Sequence, residues 1–122
     1  MRLILLSLLL LSAGGQAGEF DYAAETKVPI DQKDILFDTL EAAGLKHIPR
    51  AKLVSRMESM PAGYSFLAEE QDIIFDGAYR TVQFAIQKED DELVVVSILT
   101  HSKKFADQMR KIMSSVPQSS PE

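Results

Sequence analysis

The sequence predicts an α+β domain: a two-layer antiparallel β-meander of three to five strands, with an N-terminal and a C-terminal helix packed on one face. Three observations predict it. Asp76-Gly77 separates two alternating apolar runs, a strong hairpin signal because both central residues of that turn must accept positive φ. Residues 93–99, Leu-Val-Val-Val-Ser-Ile-Leu, are apolar on both faces except for Ser97. Phe105, Met109, Ile112, Met113 and Val116 recur at i, i+4, i+7, i+8 and i+11, a single helical stripe.

The chain opens on a leader. Arg2 supplies a positive start, residues 3–11 are Leu and Ile broken only by Ser7, and small residues follow up to Ala17 and Gly18. This order reads as a cleavable signal peptide over residues 1–18. Its apolar core is about half of the roughly 20 residues a spanning helix needs. The expected product is periplasmic or secreted from a bacterium, with no stable membrane span after cleavage. Residues 19–116 then form a single domain, and residues 117–122 a disordered tail.

Residues 19–28 are polar around Phe20 and Tyr22 and read either as an irregular start or as a short edge strand. A helix follows over about 32–43. Asp31 suits its N-cap, Ile30 and Ile35 occupy staple positions, and Leu36, Leu40 and Ala43 share a face. Gly44 suits the left-handed position that ends it, with Leu45 folding back on Leu40. Residues 50–60 read two ways. Leu53, Met57 and Met60 share a helical face, while Ala51, Leu53, Ser55 and Met57 also alternate as in a strand. The sheet's need for a partner weighs toward the strand. Pro61-Ala62-Gly63 turns the chain into the meander, whose runs start at Tyr64, at Thr81 and at Leu93. Ser102 suits the N-cap of the last helix, and Pro117 stops it.

The composition excludes several chemistries. The 122 residues include no Cys, which removes disulfides, thiolate metal sites and a cysteine nucleophile. A pI near 5.0 argues against holding nucleic acid through its phosphates. The two histidines, His47 and His101, stand alone, no serine sits in a nucleophile elbow, and no phosphate loop is present. The acidic runs around residues 69–76 and 89–92 lack the spacing of a calcium loop. No enzyme, metal or cofactor is expected, and a carboxylate hydrolase would need a cleft that so small a domain rarely has.

Charge placement carries more. Lys46, Arg50, Lys52 and Arg56 follow one another with no acid among them, and Lys103, Lys104, Arg110 and Lys111 follow near the end with only Asp107 among them. These basic segments either neutralise the acidic ones within the molecule, which is the favoured reading, or present one sign to a partner. Arg50, Lys52 and Arg56 are candidate contacts to an anionic group or acidic surface. Ser102, Lys103 and Lys104 are candidates for an anion at a helix N-terminus. Tyr64, Phe66 and Tyr79 are candidate contacts on the sheet face away from the helices.

The 93–99 strand poses the sharpest question. With helices on one side only, its second apolar face needs cover from a homodimer or another protein. The expectation is a small exported, non-catalytic binding protein acting on another envelope or secreted protein, in an inhibitor, immunity-type or accessory role. The alternative is a periplasmic carrier of a small apolar or anionic ligand, with Met57, Met109 and Met113 as its wall and Lys103 or Arg56 at its mouth.

Overall fold

The computed structural model describes residues 20–116. The expected leader, residues 1–18, and the expected tail, residues 117–122, lie outside the described residues. Among the described residues four strands and three α-helices follow in chain order: β1 (Tyr22–Pro29), α1 (Lys33–Ala42), α2 (Arg50–Ser59), β2 (Ser65–Phe75), β3 (Ala78–Lys88), β4 (Leu93–Thr100) and α3 (Lys103–Met113). The strands form one antiparallel sheet in the order β1-β4-β3-β2. This is the α+β meander the sequence predicts, with four strands.

The meander is built from local chemistry. At the β2–β3 turn, Asp76 and Gly77 hold φ of +55° and +77°. Both central residues are left-handed, as a two-residue hairpin whose twist matches its strands requires. At the β3–β4 turn the Asp90 carboxylate accepts from the Glu92 and Leu93 amides at 2.8 and 2.9 Å, a side chain standing in for a backbone turn. Between Leu67 and Glu70 the β2–β3 register shifts by one residue. This bulge interrupts the alternation around residues 67–72 and bends the strand. The Gln83 amide group donates to the Ala68 carbonyl inside it at 2.8 Å.

β1 resolves the open reading of residues 19–28: it is an edge strand, paired with β4 from Tyr22 opposite Thr100 to Pro29 opposite Leu93. A 3-10 turn over Ile30–Gln32 then leads into α1. Asp31 therefore lies inside that turn and is not the N-cap. The cap position is Gln32, which makes no side-chain cap bond. The expected staple does not form either, because Ile35 is 40% exposed while Ile30 packs on the core. The far end of α1 follows its sequence closely. Gly44 holds φ of +110°, its amide donates to the Glu41 carbonyl at 3.0 Å, and the Leu45 amide donates to Leu40 at 3.2 Å. This pair of bonds is a Schellman termination, with Leu45 buried against the core.

Residues 50–60 correct the strand reading: Arg50–Ser59 is helical. Leu53 and Met57 are fully buried, Val54 and Met60 are half-buried, and Ala51 and Ser55 face solvent. A strand burying Leu53 and Met57 would have placed Ala51 and Ser55 on the same side. The sheet obtains its fourth strand from β1 instead.

The core lies between the sheet and the three helices. Phe37, Leu36 and Leu40 from α1, Leu53 and Met57 from α2, and Phe105, Met109 and Met113 from α3 meet Val82, Phe84, Ile86, Val94, Val96 and Ile98 of β3 and β4. Ser102 caps α3 as expected, its hydroxyl accepting from the Phe105 amide at 3.0 Å. No helix of the described residues is long and apolar enough to cross a membrane.

Candidate functional site

The favoured reading of the charges, neutralisation within the molecule, is visible at Arg50. Its guanidinium reaches Asp34 at 3.4 Å, Asp38 at 2.9 Å and Glu41 at 2.8 Å, and lies 5.7 Å from the Phe37 ring centre. Partial burial alone would lower the Arg50 pKa. The hydrogen bonds with Asp38 and Asp34 and the field of Asp38 and Glu41 more than reverse this, so it stands above its ordinary value. Arg50 is thus a clasp between α1 and α2, reinforced by Lys33 on Glu58 at 3.2 Å. Arg56 stacks over the Phe66 ring at 4.5 Å. Lys52 is exposed, with no ion pair among the described residues.

Part of the first turn of α3 is likewise used internally. Ser102 is used as the cap, and Lys103 pairs with Asp107 at 3.1 Å. Asp107 also pairs with Arg110. The hydrogen bonds from Lys103 and Arg110 hold the Asp107 carboxyl below its usual value. A shallow depression of about 590 Å³ runs along the outer face of α3, lined by Lys103, Lys104, Asp107, Gln108 and Lys111. It opens on solvent, away from the core. Met57, Met109 and Met113, the expected wall of a ligand cavity, are buried in the core cluster instead.

The three aromatic candidates do not form one site. Phe66 pairs with Ile86 on the helix side of the sheet, beneath Arg56, so its placement on the open face is corrected. Tyr64 lies just before β2 and is 61% exposed, while Tyr79, opposite Ile74 at the hairpin tip, is 76% exposed. Roughly 30 Å of strand separates the two.

The pairing register shows what occupies the open face instead. β4 lies between β1 and β3, and its residues Val94, Val96, Ile98 and Thr100 are buried under the helices. Leu93, Val95, Ser97 and Leu99 face the other way and are only half-buried. Among the described residues no layer covers them. Beside Val95 and Leu99 stand Gln87 and Gln83 of β3, with Ala85 between them opposite Ser97. Leu67 of β2 continues the row and is 54% exposed. The sequence pattern pointed to β4 as a two-faced strand but did not reveal Leu67 and Ala85 beside it.

Part of the half-burial comes from across the sheet. Lys27 on β1 reaches Glu89 beyond β3 at 2.9 Å, an ion pair spanning the strand between them. The Ser97 hydroxyl donates to Glu25 at 3.4 Å. Both sheet edges are partly blocked. Lys46 makes a two-bond bridge with Ile74 of β2 at 2.9 and 3.1 Å. The Gln71 side chain donates to the His47 carbonyl at 3.1 Å, and Arg110 donates to the Ala23 carbonyl of β1 at 2.9 Å. His47 is exposed in a left-handed loop conformation, and His101 stacks on Phe20 with ring centres 4.5 Å apart. Among the described residues no group of three His, Asp or Glu side chains is placed to hold a metal ion. No family model, no curated protein and no solved structure matches this chain.

Proposed function

We propose that this chain is a small exported, non-catalytic binding protein that acts on another envelope or secreted protein, in an inhibitor, immunity-type or accessory role. Its partner meets the open face of the sheet. One observation carries the reading: β4 turns Leu93, Val95 and Leu99 outward in the centre of a sheet that, among the described residues, has helices on one side only. Large apolar side chains gathered in the middle of an open face lose solvent exposure only when another molecule covers them. The blocked edges favour docking on the face over strand addition.

The test is a photoreactive amino acid introduced at Ala85, in the middle of this face, with Lys52 on α2 as the comparison site. In the producing cell, illumination should join the Ala85 variant to a second, different protein and leave the Lys52 variant without that product. Adding Val95→Lys should abolish the product while the far-ultraviolet circular dichroism stays unchanged. Absence of any protein adduct at Ala85, Gln83 and Leu67 alike would refute the proposal.

A further inference from the structure

The charges around the open face say what kind of surface fits it. The two central strands present no ionised group on that side: β4 offers Leu93, Val95, Ser97 and Leu99, and β3 offers only neutral side chains beside them. Carboxylates stand on both flanks, Glu25 on β1 and Glu70 and Asp72 on β2. Among the described residues the cations on that side are Lys27 of β1, already paired with Glu89, and Lys46, whose bridge with Ile74 sets it outside β2 near the hairpin end. The neutral band is two strands, about 10 Å, across and about 26 Å long. That is the diameter of one α-helix and the length of about 17 of its residues.

We infer that this face takes an amphipathic, basic α-helix of the partner protein, its apolar stripe on Val95, Leu99, Ala85 and Leu67 and its Lys or Arg flanks against Glu25, Glu70 and Asp72. The inference rests on the proposed function and specifies the partner. Helix-on-sheet is the layer this domain already uses on its other side. A second copy of the chain fits poorly. Stacking two copies with β1 over β1 sets Glu25 against Glu25, and stacking β1 over β2 sets Glu25 against the edge bearing Glu70 and Asp72. The helices of the described residues cannot serve either, because α1, α2 and α3 spend their apolar stripes on the core.

The experiment uses two synthetic helical peptides of about 18 residues with the same leucine stripe, one flanked by Lys and the other by Glu. Each is titrated into the isotope-labelled protein, as the cell processes it, at about 50 and about 500 mM NaCl. The Lys-flanked peptide should shift the amides of Leu67, Ala85, Val95 and Leu99 and bind about tenfold tighter than the Glu-flanked one. The gap should close at high salt, and Glu70→Lys with Asp72→Lys should remove most of it. Equal binding of the two peptides would overturn the basic partner while leaving the face a docking surface. No binding, or shifts confined to α3, would overturn the inference. So would a dimer that Val95→Lys dissociates, because the occupant would then be a second copy. The failure of the Ala85 crosslink, by contrast, bears on the proposed function itself.

Discussion

Phe105→Ala is expected to destabilise the protein by about 3–5 kcal/mol, read as a shift of the urea midpoint at unchanged slope. Phe105 is fully buried in the first turn of α3. Its ring meets Phe75 edge-on, centres 5.6 Å apart, and lies under the Arg80 guanidinium at 5.2 Å. Truncation leaves a cavity that a helix pinned by Ser102 cannot close. It also removes the ring over which Arg80, whose Nε is buried without a hydrogen-bond partner among the described residues, is held. Two terms therefore add, and they are separable. Phe105→Leu should recover most of the packing but not the cation–π contact. A double-mutant cycle between Phe105→Leu and Arg80→Met should return about 1 kcal/mol of coupling. A loss below about 1 kcal/mol for Phe105→Ala would mean that α3 is not anchored at this point.

Lys88→Met should leave the melting midpoint nearly unchanged, whereas Lys88→Ala should destabilise the protein by about 1–2 kcal/mol. Lys88 ends β3 on the core side, opposite Val94, and is only 8% exposed. Its backbone amide and carbonyl are both paired with the segment before β2, the amide donating to the Tyr64 carbonyl at 3.0 Å and the carbonyl accepting from Gly63 at 2.7 Å. The side chain makes no ion pair or hydrogen bond among the described residues, yet its Nζ is not one of the buried unpaired atoms, so the stem is buried while the ammonium reaches water. Methionine keeps the length of the stem and discards the charge. Lys88→Ala removes the stem as well and should destabilise, which separates packing from electrostatics. A rise of the midpoint by roughly 4 °C or more in Lys88→Met would mean that the ammonium is desolvated and the stem reading is wrong.

Much of the fold was legible because several elements obey a single rule each. Gly44, the Asp76-Gly77 pair and Ser102 each sit where one backbone conformation is required, and each is found there. The stripe from Phe105 to Val116 fits only a helical period. Residues 50–60 were misread for a definite reason. Leu53 and Met57 are four apart, and a spacing of four belongs both to the helical period and to strand alternation. Only burial at the positions between them decides, and that depends on what packs above. Likewise Asp31 looks like a cap, but the 3-10 turn that follows Pro29 moves the helix start past it.

The candidate site was less legible. Arg50 is basic in sequence, yet packing of α1 on α2 surrounds it with three acids from the preceding helix. Phe66 and Leu67 are neighbours in sequence and differ in role because one faces the helices and the other the open side. Which of them is which follows from the register with β3, and that register slips at the bulge just beyond them. That β4 is central follows from its pairing with β1, which lies at the other end of the chain and announces itself only weakly.

That last pairing has a kinetic consequence. β2, β3 and β4 are joined by tight turns, so their contacts close short loops, whereas Tyr22 must find Thr100 across nearly the whole domain. The meander and α3 should therefore assemble first, with β1 arriving last. Until it does, the most apolar strand of the protein exposes a full row of unpaired amides and carbonyls, a template that any neighbouring chain can extend. Pulse-labelled hydrogen exchange during refolding should show protection of β3 and β4 amides before those of β1; simultaneous protection would rule this order out. In such a sequence of events β1 serves as the protein's own guard against aggregation, and the interval before it docks sets the concentration at which the chain refolds cleanly.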